Sequence, residues 1–399
     1  MSTVSKSWKK AALIAIAFIL AISLSACGSG SGSSGGSSGS SGSSSSSSGG
    51  SSSGGSGSGG GGGGGDDLMM TIEELVPLAQ QEGRVDSVGM PDHWANWKET
   101  WEDLKNLYGI DHSDTDMSSA EEINKFDAEK NNPTADIGDV GIQFGPMAVD
   151  RGVTQPFKTQ FWDEIPDWAK DSEGHWIVGY TGSIAIICNK EMVSNCPKSW
   201  NDMLNNNNGS YQVAIGDALR AAQAQMSILA AAIAHGGDES NLQPGYDWFI
   251  EMAKRGQLSK LEPRIPQLEA GEVTVALMWD FNALNYATQI NRDRFEIVIP
   301  EEGTVTSGYA TIINKWAPHP NAAKLARAYI LSDKGQINLA KGFARPIREN
   351  VQLPPEVAAL LLPNEQYKNA KPVGDYSVWE ESAKEIPTIW SEEVLIHVK

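Results

Sequence analysis

Apolar positions along this chain take three forms in succession. Residues 11–22 are an unbroken apolar run behind Lys6, Lys9 and Lys10. That run suits the hydrophobic segment of a signal peptide and is short for a membrane span, which needs about 20 residues. From Gly28 to Gly65 there is only glycine and serine. Such a tract has no side chains to bury and cannot offset its ordering entropy, which predicts a flexible tether. Beyond it, short apolar runs alternate with apolar stripes at helical spacing.

The first stripe begins at Thr71, an expected N-cap, with Glu74 closing a capping box. A short strand is predicted over residues 84–89, and a helix over 94–108 with Trp94, Trp97, Trp101, Leu104 and Leu107 on one face. A second strand is predicted over 135–141. Strand, helix, strand with glycine at the strand ends predicts a parallel sheet in an α/β lobe. An extended run follows over 177–189, holding Tyr180-Thr181-Gly182-Ser183. Helices are predicted from 197, over 218–235, 246–255 and 320–331. Further strands are predicted over 211–216, 271–279, 295–300 and 308–314, with a loop-rich tail after residue 331. Asp66 to Lys399 is 334 residues, too long for one compact core and suited to two lobes.

Leu24-Ser25-Ala26-Cys27 directly follows the apolar run and resembles the lipobox of bacterial lipoproteins. The resemblance implies cleavage before Cys27 and diacylation of its sulfur. Two acyl chains anchor stably where one is marginal. The 38-residue tether then gives an r.m.s. span of about 34 Å and a fully extended reach of about 130 Å. The chain carries a formal −19, and losing the signal peptide removes three lysines and no acid, giving −22. That excess argues against nucleic acid and against a basic patch on anionic lipid. Cys188 and Cys196 are the remaining cysteines. They read either as a bridge in an oxidising compartment or as a buried strand thiol and an unrelated loop thiol.

Catalytic chemistry is thinly represented. No two of the six histidines sit four apart, as a helical metal site requires. Nucleophile-elbow and phosphate-cradling motifs are missing from residues 66–399. Neither a catalytic residue, a metal nor a cofactor is expected.

Five patterns in order carry a resemblance. They are Glu82-Gly83-Arg84-Val85, the run from Ala135 through Asp139 to Gly141, and Pro197-Lys198-Ser199-Trp200-Asn201-Asp202-Met203-Leu204. Leu268-Glu269-Ala270-Gly271-Glu272-Val273 follows, and then the run from Pro318 to Lys324 leading to Ser332-Asp333-Lys334-Gly335-Gln336. From Glu82 onward the chain resembles the solute-binding proteins of ABC importers, in the broad group of ferric-iron, spermidine/putrescine and phosphonate binders. The resemblance implies a two-lobe α/β periplasmic-binding-protein fold of type II, with the solute in the interlobe cleft and capture by hinge closure. The expected divisions are a signal peptide over 1–26 and Cys27 plus tether over 27–67. Lobe one is expected over 68–182 with 304–399, and lobe two over 183–303. Crossings are expected near 180–184 and 300–308. The implied partners are a small solute and ABC permease and ATPase subunits. The membrane is reached through the lipid alone, on the extracytoplasmic face, and the protein is expected to be a monomer.

Ligands in such lobes sit beyond strand C-terminal ends. The loops there offer Asp92, His93 and Trp94, then Gln143, then Thr181 and Gly182 at the hinge. Lobe two offers Asp217 and Arg220, then Trp279, Asp280 and Asn282, and Tyr309 lies on the return. Ferric binders of this group carry adjacent tyrosines where this chain has Trp279-Asp280-Phe281-Asn282, which disfavours iron. An aromatic beside a carboxylate suits an amine, through cation–π attraction and charge balance. Trp94 reads equally as core or site. Arg220, expected near a helix N-terminus, would admit a zwitterion or an anion if it faces the cleft. The alternative from another class is a tethered extracellular hydrolase, and a signalling receptor is a third. Cys27→Ser is expected to leave an unprocessed or released protein, and intact mass of the membrane fraction checks it. An unmodified Cys27 in the parent's membrane fraction overturns the anchor.

Overall fold

The computed structural model describes residues 69–206 and 210–399. The signal peptide, Cys27 and the tether lie outside the described residues. Strand β1 (Met69–Met70) leads into helix Ile72–Glu82. Thr71 Oγ1 accepts from Glu74 N, and the Glu74 carboxylate accepts from Thr71 N, forming the reciprocal capping box. β2 (Arg84–Val88), β3 (Asp111–Thr115) and β4 (Ile137–Gly141) run parallel, with helices Trp97–Tyr108 and Ser119–Ala128 between them. β5 (Lys158–Thr159) pairs with β1. β6 (Trp176–Asn189) follows, 14 residues long and buried throughout. Covered on both faces, it reads as a near-continuous apolar run. The remaining strands are β7 (Val213–Ala214), β8 (Leu258–Ser259), β9 (Val275–Trp279) and β10 (Phe295–Val298). After them come β11 (Thr304–Ile313), β12 (Arg345–Pro346) and β13 (Ala370–Pro372).

β6 changes partners partway along. Through Ser183 it pairs with β11, whose other edge takes β4. From Ile184 it pairs with β9, which continues to β7 and β8. The switch turns one sheet path into two lobes: β3-β2-β4-β11 to one side and β9-β7-β8 to the other. This is the two-lobe, type II periplasmic-binding-protein fold, crossed by β6 and β11. β13 lies beside Thr304 to Thr306 and adds a third crossing. Cys188, near the end of β6, is bridged to Cys196, with Cα atoms 5.8 Å apart. Among the described residues no helix is long and apolar enough to cross a membrane.

Several elements differ from those the sequence predicts. The tail, expected to be loop-rich, carries several helical turns. After β13 it folds onto helix Gln243–Lys254, where Trp390 meets Phe249 edge-on at 5.2 Å. Ile386, Trp390 and Val394 recur at helical spacing and are buried in the same core as Phe249 and Met252. The helix predicted from residue 218 starts at Ala222. The strand predicted from 271 starts at Val275, because Gly271 at φ +73° ends helix Ile265–Ala270.

Arg327 is buried in helix Pro320–Ile330. Its guanidinium donates to the carbonyls of Phe157, Gly174, His175 and Thr311 and to Thr311 Oγ1. Burial pulls its pKa down to about 9. Arg327→Leu is expected to cost at least about 3 kcal/mol, because buried carbonyls lose their donors. Urea denaturation checks this, and an unchanged midpoint overturns it.

Candidate functional site

β4 ends at Gly141, opposite Tyr309 of β11, and β9 ends at Trp279, opposite Ile184 of β6. The loops beyond both strands therefore open beside the crossover. The loop after β2 joins them through Trp94. Ala95 and Asn96 adopt φ +46° and +58°, so the helix begins only at Trp97. Trp94 is thereby taken off the helical stripe on which the sequence places it. Left-handed non-glycine residues cost about 1–3 kcal/mol each and persist where their surroundings hold them. Here Asn96 Nδ2 donates to the Asn338 carbonyl at 2.9 Å. A Cβ on Gly342 would lie 2.4 Å from Ala95 C, so only glycine permits this approach.

So placed, the Trp94 indole donates to Tyr180 Oη at 2.6 Å. Its ring meets Phe281 edge-on at 5.5 Å and Tyr309 at 5.6 Å. Tyr309 stacks on Tyr180, and Trp279 lies parallel to Phe281. Rings from both lobes thus meet over the crossover strands, each pair worth about 0.5–1.5 kcal/mol beyond its buried area. Gly182 makes room, since a Cβ there would sit 2.6 Å from the Phe281 ring.

Buried acids underlie the cluster. Tyr180 Oη donates to Asp139 Oδ2 at 2.8 Å, while Asp139 Oδ1 is buried without a partner. Burial pushes Asp139 up to about 8. Glu122 accepts from Asp139 N at 3.0 Å, and its carboxyl occupies the space that side chains at Gly89 and Gly138 would fill. Burial, then the neighbouring Asp139, raise its pKa as well.

The other expected residues scatter. Asn282 Nδ2 donates to Gln223 Oε1 at 3.2 Å, and the same oxygen accepts from Trp279 N at 3.1 Å. Gln143 lies against Gly141. Asp92 and His93 are exposed. Asp280 is turned inward, 1% exposed. Its Oδ1 accepts from Ser183 N and Phe281 N, and Oδ2 accepts from Tyr367 Oη. It is therefore not a free carboxylate in the cleft, and burial raises its pKa. Thr181 points from the face of β6 opposite Tyr180, in register with Arg345. Arg220 lies outside helix Ala222–Ala234; its side chain is 85% exposed and pairs with Asp217 at 3.1 Å. No anion site of helix N-terminus plus arginine is formed there. Gln223 and Asp139 join the site unforeseen, and Tyr180 and Phe281 join it from runs the sequence offers for the cleft without being named as contacts. Tyr180 and Asp139 lie within motifs singled out in the sequence, and Gln223 sits in a helix's first turn. Asp86, Asp136 and His319 also cluster. Their carboxylates are used by Arg84 and by the backbone N–H groups of Asp86 and His319.

A sheet shared by two lobes, with strand-end loops of both meeting over the crossover, defines a two-lobe solute-binding protein. Residues 132–372 match the family model of the bacterial extracellular solute-binding proteins, and the chain belongs to that family. Its location is accordingly extracytoplasmic. An uncharacterised Haemophilus influenzae protein is 27% identical over 226 residues, 53% of this chain and 62% of that protein. The Escherichia coli sulfate-binding protein is 30% identical over 82 residues, 20% of this chain and 25% of that protein. The chain thus spans less than two thirds of these relatives. Among solved structures, AfuA of Actinobacillus pleuropneumoniae, with fructose-6-phosphate bound, superposes with TM-score 0.63 at 19% identity. That match covers 78% of this chain and 98% of AfuA. The Atu4243 GABA receptor gives TM-score 0.60 at 19% identity, covering 77% and 96%. The ferric-binding protein of Campylobacter jejuni gives 0.58 at 19%, covering 77% and 98%. At these identities the likeness shows the fold.

Asp139 yields a pH prediction. Its folded pKa is raised from 3.8 to about 8, so the native state holds the proton more tightly than the unfolded chain. The stability it contributes is fully present below about pH 4 and is lost as pH rises through about 8. Glu122, Asp114 and Tyr180 face the same carboxyl. Asp139→Asn is expected to flatten the fall in stability across that window, by up to about 1.4 kcal/mol per pH unit. Urea midpoints at several pH values check this, and an unchanged slope overturns it.

Proposed function

We propose that this chain is the lipid-anchored capture subunit of an ABC importer, taking a small organic cation or zwitterion from outside the cytoplasm. One observation carries the choice of solute: aromatic rings line the meeting point of the lobes, and among the described residues no candidate arginine turns a free guanidinium toward it. Arg220 is held by Asp217, and Arg345 lies beside Thr181 on the opposite face of β6. A cation on an aromatic face gains about 0.5–2 kcal/mol. Asp92 on a cleft loop offers a carboxylate to a second charged group, and Gln223 and Asn282 offer amides. With Asp280 committed to the hinge, Trp94 and Tyr309 become the central contacts, backed by Trp279 and Phe281.

The relatives' solutes can be weighed on this ground. GABA, named for one neighbour, is zwitterionic and suits rings with a flanking carboxylate. Fructose-6-phosphate and sulfate, named for others, would need free cations or open helix N-termini. Iron would need phenolates where Trp279 to Asn282 stand. Proteins of this family work with ABC permease and ATPase components. The tether would let the monomeric lobes reach a permease while the lipid stays in the membrane. We place lobe one at residues 68–182 with the strands returning from 304, and lobe two at 183–303 with the tail packed on it.

A thermal-shift panel on the full-length chain tests this with polyamines, amino acids, aminophosphonates, sugars, phosphate and Fe(III). A polyamine or an amino acid is expected to bind most tightly, adding about 2.7 kcal/mol at 100 times its Kd. Trp94→Ala is expected to weaken that binding by about 0.5–2 kcal/mol. A simple anion or a neutral sugar as the tightest solute overturns the reading.

A further inference from the structure

On the face of β6 and β11 away from the aromatic cluster lies a cavity of about 840 Å³. That size falls within the range of small-molecule sites. Its floor is the crossover itself, where Thr181, Ser183 and Thr306 present hydroxyls. Ser183 Oγ and Thr306 Oγ1 are 2.7 Å apart and bond to each other. Trp168, Leu353 and Leu361 give apolar walls.

Two arginines line the cavity and differ in kind. Arg348 is neutralised by Glu164 and by Asp333. Arg345 forms no ion pair among the described residues. Its Nη atoms are held by Asn364 Oδ1 and the Leu362 carbonyl, and its Cζ lies over the Tyr367 ring, 3.7 Å from the ring centre. Its Nε is buried with no partner. A half-buried guanidinium fixed in position, in no direct ion pair and next to a hydroxyl floor, is built to receive a carboxylate; the buried Asp280, bonded to Tyr367, feels its charge only at a distance. The apolar walls supply the place for a hydrocarbon body.

We infer that this rear cavity is a second binding site, for a small organic acid. Its carboxylate faces Arg345 and the Thr181 and Thr306 hydroxyls, and its apolar body lies against Trp168 and Leu353. The site is separate from the cleft, because successive residues of β6 point to opposite faces: Tyr180 and Gly182 to the rings, Thr181 and Ser183 to the cavity.

Benzoate is a suitable probe for the full-length chain, with benzamide as its uncharged counterpart. Benzoate is expected to raise the melting temperature saturably and to change tryptophan emission, since Trp168 lines the cavity. Benzamide is expected to bind at least tenfold more weakly. Ala358→Trp fills the cavity from an exposed position and leaves every charge in place, and it is expected to abolish both benzoate responses. Arg345→Lys keeps the charge but loses the planar fork, and is expected to weaken benzoate at least fivefold. Absence of a saturable benzoate response in the parent overturns the proposal. So does an equal response to benzamide, or an undiminished benzoate response in a folded Ala358→Trp variant.

Discussion

A strand of 14 buried residues must find hydrogen-bond partners along both edges, because backbone groups left unpaired away from water are costly. β6 meets that demand by borrowing from both lobes. β11 and β12 flank its first half, and β9 and β10 its second. Neither lobe can complete its own sheet without it. The crossover is therefore fixed by backbone pairing, and side chains there are left free for other work. That freedom explains the polar and small residues in an otherwise apolar run, Thr181, Gly182 and Ser183. They stand where the strand changes partners.

Departures from local preference gather around that point. Ala95 and Asn96 hold left-handed conformations, Gly182 admits a ring where any side chain would collide, and Asp280 is a carboxylate in the interior. Each works against stability taken alone. Together they orient Trp94 from one lobe and Phe281 from the other toward the same space. Local conflict of this kind, in a chain otherwise consistent from capping box to core, marks positions kept for function.

The sequence makes the lobes legible because strand–helix alternation, the capping box at Thr71 and glycines at strand ends are local signals. β3 escapes notice because its alternating half-exposed residues, Asp111 to Thr115, offer no apolar pattern on a sheet edge. The tail escapes because prolines break its helices into pieces too short to show a period, although Ile386, Trp390 and Val394 keep the spacing. Site residues divide the same way. A strand-end loop tells that Trp94 and Trp279 lie near the cleft. It does not tell which way a side chain turns. Asp280 turns inward because two backbone N–H groups and Tyr367, 87 residues away in sequence, claim its oxygens. Arg220 turns outward because Asp217, three residues before it, already satisfies it.

Withdrawing Asp280 into the hinge changes what can select a solute. The lobes touch here through rings, and each ring contact is worth about 0.5–1.5 kcal/mol. Parting Trp94 from Phe281 gives that up together with the area they bury, and a solute entering between them restores both by taking the ring faces. Those faces carry the negative side of the aromatic quadrupole. A cation placed between them is attracted from both sides, while an anion gives up water and meets like sign. The acids beneath add to this bias once ionised, because Asp139 reaches the cluster through Tyr180. Selection by charge sign can thus arise from the rings and the field behind them, without a carboxylate in contact. The exposed Asp92 carboxylate on its cleft loop is then left to set spacing, and so to distinguish one cationic solute from another.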